Sequence, residues 1–60
     1  MTRWGIIKQI YGEYSFIYSI VNEIKDAENI AMDAYRNSVQ KNCHFFIRTI
    51  SDNANIGDVI

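Results

Sequence analysis

Between Trp4 and Val21 the chain carries Ile6, Ile7, Ile10, Tyr11, Tyr14, Phe16, Ile17, Tyr18 and Ile20, a density of β-branched and aromatic side chains that suits a pleated surface. Strand-period alternation organises this stretch twice. Over residues 3–10, Trp4, Ile6 and Ile10 fall on one face and Ile7 on the other. Over residues 14–20, Tyr14, Phe16, Tyr18 and Ile20 share one face, and Ser15, Ile17 and Ser19 share the opposite one, which its serines mark as the solvent side. Trp4, Ile7, Tyr11, Tyr14, Tyr18 and Val21 also stand at the three- and four-residue spacing of a helical seam. Strong helix formers are scarce here, however, and Gly5 and Gly12 interrupt the run, so strands are the stronger reading. Tyr11-Gly12-Glu13 then supplies the turn of a hairpin.

The character of the chain changes at Asp26. Ala27, Glu28, Ala31, Met32, Ala34, Arg36 and Gln40 are good helix formers, and the spacing predicts a helix over residues 26–40. Ala27, Ile30, Ala31, Ala34, Tyr35 and Ser38 lie within one arc of it, while Asn29, Asp33, Arg36, Asn37 and Gln40 take the far side. Asp26 is placed to cap the first turn, Glu28 adds negative charge where the helix dipole favours it, and Lys41-Asn42 would end the helix. Residues 43–50 alternate again, with Cys43, Phe45, Ile47 and Thr49 against His44, Phe46, Arg48 and Ile50, and read as a third strand. From Ser51 the chain is polar and turn-prone, so residues 51–60 are expected as a C-terminal tail, either flexible or added as a short strand.

One domain over residues 1–60 follows, of α+β class and β-β-α-β order: a three-stranded antiparallel sheet ordered 2-1-3 with one helix packed on one face. A single helix cannot cover both sides of a sheet, yet both sides carry large apolar groups. With the aromatic row of the second strand on one side and Ile7 and Ile17 on the other, some of this surface is therefore expected to stay exposed, and an exposed apolar patch marks a partner.

Composition narrows the function classes. Cys43 is the only cysteine, so no disulfide can form within the chain and a reducing compartment is expected. The N-terminal residues are charged by Arg3 and Lys8, which leaves no apolar stretch for a signal peptide, and the run over residues 16–21 is far below the ~20 residues a membrane helix needs. A soluble, cytoplasmic protein is expected. The net charge of −1 is spread, with Arg3, Lys8, Lys25, Arg36, Lys41 and Arg48 scattered along the chain, so no nucleic-acid footprint emerges. The carboxylates are equally dispersed and do not imitate a DNA backbone.

No residue pattern points to catalysis. Cys43 and His44 are neighbours on a strand and point to opposite faces, so they cannot share a proton, and no metal-ligand spacing surrounds them. The glycines are isolated and form no phosphate-binding loop, while capping and solvation account for Asp26 and Glu28. Accordingly no catalytic residue, cofactor or metal site is assigned, and a non-enzyme is expected. Tyr14, Phe16 and Tyr18 form a row on which single-stranded nucleic acid could stack, but without flanking Lys or Arg a core role is preferred and nucleic acid is not the expected partner. Candidates for protein contact are Tyr11, Met32, Tyr35, Phe46 and Arg48, because aromatic and Arg side chains dominate interface energetics. Trp4 belongs to the same chemical class, but its place on an apolar strand face predicts burial.

The junction Ile20-Val21-Asn22-Glu23-Ile24-Lys25-Asp26-Ala27-Glu28-Asn29-Ile30-Ala31, an aromatic-rich strand passing into a short helix opened by acidic residues, resembles small early proteins of tailed bacteriophages. That group includes antitoxins of the Dmd type and single-domain anti-CRISPR proteins, and the likeness is one of layout over residues 4–50. It implies a phage-encoded inhibitor that binds a host or anti-phage defence protein stoichiometrically, with homodimerisation through the uncovered sheet face as a further expectation. Two other readings stand beside it: a single-stranded nucleic-acid-binding module using the aromatic strand, and a subunit of a larger assembly.

Overall fold

The computed structural model describes residues 2–38 and 42–60, in the order β1 (Arg3–Ile10), β2 (Ser15–Val21), α1 (Ile24–Asn37) and β3 (Cys43–Ile50). The sheet is antiparallel and ordered β2-β1-β3, so the α+β class, the β-β-α-β order and the 2-1-3 sheet are all as the sequence suggests. β1 and β3 span the residues that alternation marks out. β2 starts one residue later than expected because Tyr14 still belongs to the hairpin connection. There the Glu13 amide donates to the Ile10 carbonyl at 2.9 Å, closing a turn whose third residue, Gly12, sits at φ 84.

The helix begins two residues before Asp26, which corrects the expected cap. Glu23 occupies the N-cap in extended backbone (φ −126, ψ 140) and makes no side-chain cap hydrogen bond. Asp26 stands in the first turn and Arg36 in the last, where their charges complement the helix dipole. Gln40 and Lys41, expected at the end of the helix, lie outside the described residues.

A β-bulge changes the faces of β2. Ile6 pairs with Ser19 and Ile7 with Ile17, which leaves Tyr18 as the extra residue. Before the bulge, Phe16 shares the face of Lys8 and Phe45; beyond it, Ser19 and Val21 take that face opposite Ile6 and Trp4, and Ile20 crosses to the other side opposite Gly5. Ile20 therefore does not join the aromatic row, and Ser19 does not lie beside Ile17. The face of Ser15 and Ile17 is not a solvent side either, since Ile17 is fully buried.

Ile6 and Ile7 are adjacent on the central strand and point to opposite faces, yet both are 0% exposed. Both sides of the sheet must be covered. Over the Ile6 face lies α1, with Ala27 fully buried and Ile30, Ala31 and Ala34 half-buried. The other face is crossed by residues 51–60, which leave the end of β3, pass the start of β1 and reach the outer edge of β2. Arg3 anchors the crossing: its guanidinium donates to the carbonyls of Ser51 (2.9 Å), Asp52 (2.7 Å) and Ala54 (3.2 Å). A turn over residues 55–58 follows, with Gly57 at φ 95 and the Asn55 amide donating to the Asp58 carboxylate at 2.8 Å. It presents the Gly57 amide to the Ile17 carbonyl and the Asp58 carbonyl to the Ile17 amide, at 2.8 and 2.9 Å. Ile60 donates to Ser15, and Phe16 bridges to Val59, so the end of the tail is tied to the β2 edge through an isolated bridge.

The expectation of an uncovered sheet face does not hold at Ile7 and Ile17, both fully buried on the side that this crossing covers. A polar segment does the covering, because its polar groups turn inward on themselves through backbone hydrogen bonds while Ala54 is half-buried beneath them.

Candidate functional site

With both faces of the sheet occupied, the five candidate contact residues can be placed on the surface that is left. Tyr11, Met32 and Tyr35 are 63%, 59% and 68% exposed, Arg48 is exposed and Phe46 is half-buried. Tyr35 had been placed on the packing arc of the helix; it sits instead on the shoulder, about 80° round from the buried Ala27, and its ring clears the sheet. Met32 lies beyond it on the same flank.

The structure brings four of these five residues around β3. Met32 and Tyr35 line a shallow groove of about 310 Å³ with Ala31, Phe45 and His44, formed where the helix overhangs the strand. Phe46 and Arg48 project from the opposite face of β3. Tyr11 stands at the end of the hairpin nearest the start of β3, its amide donating to the Asn42 carbonyl at 2.9 Å. β3 is thus flanked on one side by the helix shelf and on the other by Phe46, whose ring lies 6.5 Å from His44.

A second, larger cleft of about 580 Å³ opens on the other flank of the helix, where Lys8, Tyr18 and Phe45 face Ile30, Asp33 and Asn37. The aromatic row expected in the core is split. Phe16 is half-buried, but Tyr14 and Tyr18 are 61% and 41% exposed, the former because it lies in the connection and the latter because the bulge turns it outward. Tyr18 packs edge-on against Phe45 at 5.4 Å, and the Lys8 ammonium stands 5.8 Å from the centre of the Phe45 ring, a cation–π contact. Sequence reasoning missed Tyr18 as a surface group; only the bulge, which alternation conceals, would have revealed it. Trp4, expected to be buried, is half-buried.

Cys43 and His44 point to opposite faces, the first buried and the second exposed. The Cys43 thiol lies 3.3 Å from the Ser38 hydroxyl, which satisfies it as a packed group at the base of the helix. Among the described residues no group of three or more His, Cys, Asp or Glu side chains is placed to hold a metal ion. No described helix is long and apolar enough to cross a membrane.

What the fold and surface define is a small sheet-and-helix domain with exposed aromatic groups at the hairpin, on the helix and on β2. No family model, curated protein or solved structure matches the chain.

Proposed function

We propose that this protein is a non-catalytic, phage-type inhibitor, acting in the cytoplasm by stoichiometric binding to a host or anti-phage defence protein. The observation that carries this reading is the groove beside β3. Met32 and Tyr35 hold large apolar side chains in solvent beside Phe45, which lines the same groove. Aromatic and Met side chains displayed in this way are the usual anchors of protein interfaces. The resemblance in layout to antitoxins and anti-CRISPR proteins supplies the class of target, and Phe46, Arg48 and Tyr11 would border the contact.

The test has two stages. Cross-linking in infected-cell lysate followed by mass spectrometry names a target, and titration calorimetry with that purified target measures the interaction. A fixed whole-number stoichiometry is expected, with affinity falling by about tenfold or more for Met32→Asp or Tyr35→Asp. Equal affinity of both variants and the native chain would remove the groove from the interface and the reading with it.

The exposure of Tyr14 and Tyr18 favours a second reading, in which bases of single-stranded nucleic acid stack along Tyr14, Tyr18 and Phe45 and Lys8 meets a phosphate. Fluorescence anisotropy against labelled oligonucleotides at low salt decides it: salt-sensitive binding lost in Tyr18→Ala supports this reading, and a flat titration ends it.

A further inference from the structure

The two edges of the sheet are treated differently, and the difference points to a specific partner. An exposed edge strand offers unpaired amides and carbonyls to any other strand, and proteins that stay monomeric blunt such edges with bulges, prolines, lysines or a covering segment. The β2 edge carries two of these devices. Tyr18 forms the bulge in its middle, and residues 57–60 lie along its outer side, hydrogen-bonded to Ser15 and Ile17. The β3 edge carries neither: it pairs with β1 without a register shift from Arg3↔Ile50 to Ile10↔Cys43 and contains no proline and no lysine.

The described residues that flank β3 are bonded on the side away from that edge. Before the strand, the Asn42 carbonyl is bonded to Tyr11 on the hairpin side; after it, Arg3 draws Ser51 and Ala54 back toward β1. Among the described residues, no backbone hydrogen bond is made along the outer side of β3 from His44 to Ile50.

We infer that β3 pairs with β3 of a second copy of this chain, antiparallel about a two-fold axis at Ile47. Such an axis, perpendicular to the sheet, keeps the helix side of one copy continuous with the helix side of the other, so only residues on the same face can be opposed. Centring on Ile47 opposes Phe46 to Arg48 of the partner copy and Arg48 to its Phe46. It also sets His44 against Ile50, and Phe45 against Thr49. The Phe46–Arg48 contacts are aromatic–cation pairs made twice, and every residue from His44 to Ile50 finds a partner. Moving the axis to Phe46 sets Arg48 against His44, and moving it to Arg48 sets Arg48 against itself. Self-pairing at Ile47 keeps the Phe46–Arg48 contacts that both shifts lose, and avoids the Arg48–Arg48 repulsion of the second. It joins the two grooves beside β3 into one trough across the seam, so the partner copy completes the surface on which target binding would occur.

Sedimentation equilibrium of the full chain tests the proposal without any target. The native chain is expected to run at twice its 7.0 kDa mass. Phe46→Lys places a positive charge against Arg48 at both symmetric positions and is expected to raise the dimer dissociation constant about tenfold. Phe46→Lys/Arg48→Glu replaces both repulsions with ion pairs and is expected to restore the dimer. Because a misfolded single variant would not regain association through a second charged substitution on the same strand, restoration isolates the register. A native chain that stays monomeric at millimolar concentration overturns the inference, as does a dimer that Phe46→Lys leaves unchanged. Either result leaves the calorimetric test of target binding intact.

Discussion

The tightest constraint on a single residue falls at Gly5. It sits inside β1, where glycine weakens a strand, so a reason of packing is needed. Ile50 provides it: a Cβ built on Gly5 would stand 2.8 Å from the Ile50 Cγ2 methyl, closer than two carbons can approach. Gly5→Ala is therefore expected to destabilise the domain by about 1–2 kcal/mol, overlap outweighing the gain in strand propensity. In an Ile50→Ala background, which removes the offending methyl, the same substitution should cost nothing or stabilise. Urea unfolding of the four chains in this cycle gives the coupling; additive effects would show that Ile50 is not what excludes the side chain. Sequence alone presented Gly5 only as an isolated glycine interrupting the run, because the contact joins positions at opposite ends of the chain.

At the scale of elements, the strands were legible wherever alternation was unbroken and the helix wherever propensity was strong. β3 reads directly from Cys43 to Ile50 because its β-branched and aromatic residues suit a strand and pair with β1 without a register shift. β2 misleads past Tyr18, since Ser19, Ile20 and Val21 fit either face and nothing local announces an inserted residue. The crossing by residues 51–60 was invisible for a different reason: a segment that covers a sheet with its backbone needs no hydrophobic period. Its anchor is legible only in three dimensions, through the Arg3 guanidinium and the three carbonyls it gathers. Arg3→Met keeps much of the side-chain length and loses those donors, and because two of the three bonds are exposed, the expected cost is about 1 kcal/mol. The loss should be local. Hydrogen exchange should speed up at the Gly57 and Ile17 amides, which bond across the β2 edge, while the β1–β3 amides keep their protection. Uniform acceleration across all three strands would mean that Arg3 holds the whole fold rather than the crossing.

The whole molecule is a thin slab of 33 × 22 × 13 Å, and its largest fully buried side chains are Ile6, Ile7 and Ile17. A chain of about this length buries only about 60% of the surface its unfolded form exposes, so its margin of stability is small and each additional contact counts. Pairing through β3 would add hydrogen bonds and side-chain contacts along an entire strand, and by mass action the pair would be stabilised as concentration rises. The melting temperature is then a reporter of association. For a dimer that unfolds to separate chains, a hundredfold rise in protein concentration should raise Tm by up to roughly 10 °C, given the unfolding entropy of domains this small. Phe46→Lys should flatten that dependence, and the doubly charged Phe46→Lys/Arg48→Glu chain should regain it. Scanning calorimetry over that range separates the alternatives: a native Tm that does not move with concentration would show that the sheet ends at β3, and that the asymmetry of its edges serves the target alone.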